Sequence, residues 1–266
     1  MNLRKLGLFT ITSAAVLLTA CSDEPANPGT GNGNGNGGGN NTKTCKITET
    51  KDSDNATAKY TYDGDNLVRV EENDGGEIRT YDFVYSGGKL TQINEVDTAY
   101  KLTYTNDQVT KVEVIKGTEP FENYVLSYNA DGTLNEVDDF LIDGQDEELF
   151  GRYSYTYTSG ELSAILNRID ANEDGVLTDT GDFDIDIQIL ATDGKKNPYF
   201  GLPVYLTDFA NFLALSKSNV NAFTVNVFGQ PIPGSITYTY NEHDYPLESR
   251  IVSGDTVTMD FTYTCE

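Results

Sequence analysis

The chain has 266 residues, with 42 acidic side chains against 18 basic ones, a formal charge of −24 and a sequence pI near 4.2. So acidic a chain is repelled by nucleic acid and by anionic lipid surfaces, which excludes both as partners. One His and no Trp rule out a histidine-rich zinc site and remove the strongest platform for stacking on sugars.

At the N-terminus, Arg4 and Lys5 precede an apolar stretch from Leu6 to Ala20. This is the layout of a secretory signal, and it is too short to be a spanning helix with proper flanks. The stretch closes on Leu18-Thr19-Ala20-Cys21, which resembles the lipobox of bacterial lipoproteins. The resemblance implies that residues 1–20 are removed and that the Cys21 sulfur carries a diacylglycerol; an ordinary signal peptide with an incidental Cys is the alternative. Each buried CH₂ is worth roughly 0.8 kcal/mol, so several acyl chains anchor a protein durably. Ser22-Asp23-Glu24 resembles the acidic export signal of Bacteroidota lipoproteins. That implies an outer-membrane lipoprotein exposed at the cell surface, the alternative being one that faces the periplasm. From Asn27 to Thr42 the chain is nearly all Gly and Asn. With nothing to bury, residues 21–42 form a lipidated Cys followed by a flexible tether, spanning roughly 25 Å as a coil. Residues 43–266 are then expected to fold as a single domain.

That domain begins with Cys45-Lys46-Ile47 and ends with an alternating apolar/polar run from Val257 to Cys265, the period-2 pattern of half-buried strands. Cys45 and Cys265 are the two thiols left in an exported chain, which suggests a disulfide. A bridge needs Cα atoms within about 7 Å, so the first and last strands would be neighbours; with the strands apart, both thiols stay reduced.

Between these ends the chain repeats itself. Tyr60-Thr61-Tyr62-Asp63-Gly64-Asp65-Asn66-Leu67 leads to Val70, and Phe83-Val84-Tyr85 runs through Gly87-Gly88 to Leu90 and Ile93. Further copies are Leu102-Thr103-Tyr104 to Val112, Leu126-Ser127-Tyr128 to Val137, and Tyr155-Thr156-Tyr157 to Ile165. A sixth, Tyr238-Thr239-Tyr240 through Leu247 to Ile251, follows an interruption. In each, aromatic and β-branched residues at i and i+2 face one side of a strand, and Gly, Asn or Asp supply a tight turn. The return strand opens on Leu or Val with another apolar residue three positions on. A spacing of three does not suit a flat strand and predicts a bulge or a turn-packing role for that first residue. Turns this short join only antiparallel strands. The predicted fold is all-β, an antiparallel meander of repeated hairpins closed into a barrel, or else a strongly curled open sheet with a helix packed on it. A membrane-spanning barrel is rejected, because the strands carry charges on their polar faces and a lipid anchor would be superfluous.

The pattern Tyr-x-Tyr, Gly/Asn/Asp, Leu-x-x-Ile/Val resembles the tyrosine-aspartate (YD) repeats of Rhs-type proteins. With the lipobox, the tether and the acidic body, the chain resembles a family of Bacteroidota lipoproteins of unknown function with a porin-like fold. The copies vary in spacing and mostly lack the Asp after Tyr, so a regular Rhs shell is not expected.

Residues 167–230 interrupt the repeat. Within them, Leu206 to Leu215 reads as a short amphipathic helix capped by Thr207 or Asp208, with Phe209, Phe212 and Leu213 on one stripe. It would cover the core, plug the barrel, or act as a lid over a cavity. Ahead of it, Asp170, Asn172 and Asp174 occupy positions 1, 3 and 5 of a calcium-type loop, with Gly175 at the sharp turn and the Val176 carbonyl at position 7. Gly181 stands where the bidentate Glu belongs, so Asp179 or Asp182 would have to substitute. The expectation is a structural calcium ion; a plain acidic turn is the alternative.

Catalytic signatures are missing: there is no Gly-x-Ser-x-Gly, phosphate loop or dinucleotide fingerprint, and the one histidine, His243, lies in a turn. Carboxylates are too abundant to single out a dyad. Asp97-Thr98-Ala99 and Asp255-Thr256-Val257 match the short O-glycosylation motif of Bacteroidota, which makes Thr98 and Thr256 candidate glycan sites. The expected role is non-catalytic binding of a ligand or glycan at the envelope. A structural or adhesive protein contacting other envelope proteins is the alternative, and a hydrolase the third. A deep lined cavity would favour the first, a filled interior the second, and clustered buried carboxylates the third.

Overall fold

A computed structural model describes residues 44–266 except 173 and 178–180; the leader, Cys21 and the tether lie outside the described residues. The strands in chain order are β1 (Cys45–Asp52), β2 (Thr57–Asp63), β3 (Asn66–Asp74), β4 (Glu77–Ser86), β5 (Lys89–Glu95) and β6 (Thr98–Thr105). Next come β7 (Gln108–Lys116), β8 (Glu119–Tyr128), β9 (Leu134–Asp143), β10 (Asp146–Thr158) and β11 (Glu161–Ile169). The last are β12 (Phe183–Lys196), β13 (Ser218–Val227), β14 (Gln230–Tyr240), β15 (Pro246–Ser253) and β16 (Asp255–Cys265). Each strand pairs antiparallel with the next, and β1 pairs with β16 to close a barrel. Cys45 sits opposite Cys265 in that seam, with a Cα–Cα distance of 4.0 Å and the two sulfurs bonded. Closure, rather than an open curled sheet, leaves no unpaired strand edge.

The spacing of three is resolved by bulges. Tyr60 pairs with Val70 and Thr61 with Arg69, but Tyr62 pairs with Leu67, so Val68 is the extra residue. The same shift falls at Tyr85, Tyr104, Tyr128 and Tyr157. Each bulge turns both apolar residues of Leu-x-x-Val inward, and Leu67, Val70, Leu90, Ile93, Val112 and Val137 are all buried. In three copies the Tyr at the bulge reaches back to the preceding copy. Tyr85 donates to the Leu67 carbonyl (3.1 Å), Tyr104 to Leu90 (2.7 Å) and Tyr128 to Val109 (2.8 Å). A tyrosine ladder therefore ties each of these three hairpins to the one before it. The sixth copy differs: Tyr240 pairs with Pro246, which is buried, and Leu247 is an exposed bulge residue rather than an inward one.

The outer wall is charged. Arg69 pairs across the strands with Asp82 at 2.6 Å, and Arg168 with Asp184 at 2.8 Å. Lys59, Lys101, Lys111 and Glu113 occupy the same outward phase. A Lys or Arg facing lipid at the bilayer midplane costs about 2–4 kcal/mol each, so this charged outer face is costly to place against lipid. No helix among the described residues is long and apolar enough to cross a membrane.

Residues 167–230 interrupt the tyrosine repeat but not the sheet, since β12 and β13 are wall strands. Apart from the loop between β11 and β12, the long departure from the wall is residues 197–217, which enter the barrel. The expected helix from Leu206 to Leu215 is split into a 3-10 turn, Pro203–Thr207, and one α-turn, α1 (Phe212–Leu215). The break lies at Asp208, which is extended (φ −153°, ψ 93°) while its Oδ1 accepts the Ala210 N–H. The true N-cap of α1 is Asn211, whose side chain accepts the Ala214 N–H. Both are side-chain hydrogen bonds that compete with helix continuation. The segment acts as a plug: Leu206 and Phe209 are buried, the Phe209 ring lies 4.8 Å from that of Tyr124, and Tyr155 donates to the Phe209 carbonyl at 2.8 Å.

Candidate functional site

The barrel has a plugged end, where the strand termini, the Cys45–Cys265 bond and residues 197–217 meet, and an opposite open end. At the plugged end, the hairpin turns after β8 and β10 stand beside the plug and leave a cleft of about 210 Å³. Tyr128, Tyr157, Tyr205 and Phe200 form its aromatic walls, Leu134 and Leu162 its floor, and Lys217 its charged edge. A shallower hollow of about 480 Å³ adjoins it, sharing Thr133 and Tyr157 and adding Asn129 and Asp131. Phe200 is 50 % exposed and stands within this group of rings. Burial pushes the Tyr157 hydroxyl up to about 12, and Tyr128 and Tyr205 also upward, so the cleft walls stay neutral. Asp131 is held below the usual carboxylate range by the hydroxyl and backbone N–H of Thr133, which it accepts at 2.6 and 3.1 Å. The rim thus offers a fixed anion and a lysine above rings that stay neutral.

Inside the barrel, below the plug, a second group of polar residues meets. Asp139 on β9 lies opposite Tyr124 on β8 and Gly151 on β10, pointing inward and 5 % exposed. It hydrogen-bonds Glu122, which also bonds Tyr124, while its Oδ1 is buried without a hydrogen-bond partner. Burial, then repulsion from Glu122, holds the Asp139 carboxyl well above the ordinary range, and burial raises Glu122. Both effects favour the protonated, neutral form of each carboxyl.

The residues expected from sequence are distributed as follows. Asp170, Asn172 and Asp174 come together in the loop after β11, and Asp179 lies outside the described residues. Asp170 accepts the Gly175 N–H at 2.7 Å and Asp174 accepts that of Val176 at 2.8 Å, so the loop's own backbone takes up these oxygens. Among the described residues no three acidic, His or Cys side chains are placed to hold a metal ion. Thr98 opens β6 and Thr256 lies near the start of β16, both beside turns of the open end. His243 is more covered than its turn suggested, with its side chain 17 % exposed and Nε2 3.5 Å from Glu242. Sequence reasoning missed Glu122 and Asp139 among so many acids. A signal existed: extending the inward phase of the repeat two residues beyond Tyr124 and Val137 lands on them.

No protein-family model matches the chain, and no curated protein matches it in sequence. Among solved structures it resembles the crystal structure of a porin-like protein from Bacteroides uniformis, at 16 % identity and a TM-score of 0.57. The match covers 83 % of this chain and 98 % of that one. At this identity the likeness shows a shared barrel fold.

Proposed function

We propose that this protein is a lipid-anchored envelope barrel that binds a glycan without altering it, in the aromatic cleft at its plugged end. The observation that carries the reading is Phe200, half exposed beside Tyr128, Tyr157 and Tyr205 over the 210 Å³ cleft. Sugar rings present C–H faces that stack on such side chains, and their hydroxyls suit Asp131, Thr133 and Lys217 at the rim. The leader of residues 1–20, Cys21 and the likeness to a porin-like protein of Bacteroides support an outer-membrane address, with the tether holding the domain off the surface.

Glycan-array screening of the chain from residue 21 on, with Cys21→Ser, tests this. Phe200→Ala and Tyr157→Ala are expected to lower affinity for any hit by about tenfold, since stacking contributes about 1–2 kcal/mol. A hit unaffected by either variant places binding elsewhere. No hit at all favours the structural or adhesive role. A third reading, hydrolysis, draws on the buried Glu122–Asp139 pair. Their mutual hydrogen bond sets the carboxyls closer than the roughly 5 Å or more that glycosidases leave between theirs, so binding is the better-supported reading. The Asp170 loop is read as a structural calcium site. Addition of calcium is expected to raise the melting temperature and Asp174→Ala to abolish that rise. The two glycosylation motifs predict an added mass on native protein that Thr98→Ala and Thr256→Ala remove.

A further inference from the structure

The interior is not uniform along its axis. Near the plugged end Leu67, Leu90, Val109 and Leu134 are buried under the plug. Toward the open end, inward residues such as Glu72, Tyr81, Glu95, Tyr100 and Glu122 keep accessible surface. Asp208, on the inner face of the plug beside Tyr153, is exposed. The side chains of a barrel of this strand number do not fill it by themselves, and the plug fills only one half. The accessible surface of those inward residues points to a lumen in the other half.

That lumen has two unlike walls. Over β3–β10 the inward positions toward the open end carry Glu72, Glu95, Glu122, Asp139, Tyr81, Tyr100 and Tyr124, interspersed with Arg79, Val114 and Leu141; over β12–β16, across the barrel, they are Ile185, Val227, Ile232, Val257 and Met259, all partly exposed. On the acidic wall Arg79 is opposite Glu72 and close to Glu95, which balances those two. Glu122 and Asp139 have no such partner: among the described residues no ion pair reaches either, and Asp139 Oδ1 is buried without a hydrogen bond. The groups facing the pair are Tyr100, Tyr124 and Tyr153, with Asp208 beyond Tyr153. None of them is a cation.

The rim repeats this bias. Asp74, Glu77, Asp97, Glu119, Asp143 and Asp146 edge the open end, against Lys51 and Lys116. At the plugged end Lys46, Lys89 and Lys195 are paired with Asp65, Asp107 and Asp244. A mouth lined by one sign of charge and backed by protein focuses the field and concentrates counter-ions.

We propose that the open half of the lumen is a binding site for an amphipathic organic cation, its ammonium or guanidinium head at Asp139 and Glu122 and its apolar body against the Ile185–Met259 wall. The head supplies the charge and, where it carries N–H groups, the hydrogen bond that Asp139 Oδ1 lacks, with Tyr124 and Phe209 offering ring faces nearby (4.8 Å apart). The body buries the apolar side chains of that wall, of which Met259 is the one Tyr199 of the plug already touches. This site is separate from the aromatic cleft, on the opposite side of the plug.

The test is calorimetric titration of the chain from residue 21 on, carrying Cys21→Ser so that no acyl chain competes. The probe is hexyltrimethylammonium, which has a cationic head and a short apolar tail. Tetramethylammonium (head alone) and hexanesulfonate (tail with the opposite charge) are the controls. Hexyltrimethylammonium is expected to bind at least about tenfold more tightly than either. Burial favours the protonated form of both carboxyls, so a cation that stabilises their charged form favours proton release on binding. The heat is then expected to change with the ionisation enthalpy of the buffer, and affinity to rise with pH. The double variant Glu122→Gln/Asp139→Asn weakens binding about tenfold and abolishes the proton release, while Glu113→Gln on the outer wall changes neither. Equal binding of hexanesulfonate, no binding of the cation, or unaltered binding by a folded double variant overturns the proposal. Should the double variant fail to fold, charge selectivity and proton release on the parent chain still decide.

Discussion

Phe209→Ala is the sharpest probe of how the plug and the wall depend on one another. Phe209 is 3 % exposed, with its ring centroid 4.8 Å from Tyr124 and 6.2 Å from Tyr153. Truncating a buried Phe costs about 3–5 kcal/mol, of which each lost ring pair accounts for about 0.5–1.5 kcal/mol. In a domain of this size about 1 kcal/mol moves the melting temperature by roughly 2–4 °C, so the expected fall is on the order of 6–20 °C. Scanning calorimetry on the chain from residue 21 measures it. Tyr155→Phe removes the hydroxyl that donates to the Phe209 carbonyl at 2.8 Å and costs about 1 kcal/mol. The two sites touch, so the double variant should lose less than the sum of the singles. A Phe209→Ala protein that melts within about 2 °C of the parent while becoming sensitive to protease within residues 197–217 would refute the reasoning. The plug would then open by itself, and the wall would stand without it.

Reduction of Cys45–Cys265, a bond across a sequence separation of 220, should lower stability by about 5 kcal/mol on the chain-entropy account. A urea midpoint indifferent to reductant would count against closure as a stabilising feature. Gly234→Ala should cost about 1–3 kcal/mol by overpacking, because its Cβ would lie 2.1 Å from the Phe223 ring, itself 7 % exposed; an unchanged melt would mean that ring moves aside. The pH dependence follows from the raised Asp139 and Glu122 carboxyls. A carboxyl with a raised folded pKa binds its proton more tightly folded than unfolded. Its contribution is therefore most favourable below the unfolded value near about 4 and is lost as pH rises through the folded value. Asp139→Asn should thus gain on the parent in melting temperature as pH rises from about 4, and a difference that does not change with pH would place Asp139 in solvent.

Much of the wall was legible in the chain. The Tyr-x-Tyr, turn, Leu-x-x-Val unit dictates a hairpin wherever it occurs, because the side-chain period, the turn residues and the spacing of three are all local. Leu67 and Val70 both face inward only because a bulge intervenes, and that was readable from their spacing. The alternation ending at Cys265, set against Cys45-Lys46-Ile47, even indicated which strands would meet. Less local features were not legible. The helix expected from Leu206 to Leu215 breaks at Asp208, where side-chain hydrogen bonds and the fit of Phe209 between Tyr124 and Tyr153 outweigh helical periodicity. Residues 167–230 looked like an insertion because the tyrosines stop there, although β12 and β13 carry the wall onward with Ile and Val in their place.

The site shows the same division. The acids of this chain are alike in sequence, and what separates Asp139 from Asp138 is the face of the wall on which each lies. Asp138 pairs with Arg152 in water, while Asp139 is buried beside Glu122. Composition alone determined that the protein is acidic, and local pattern determined that its strands form hairpins. Only closure of the barrel brought one acidic arc face to face with one apolar arc, and only the entry of residues 197–217 decided which half of the interior stays open. Both depend on contacts between residues far apart in the chain, which no local period records.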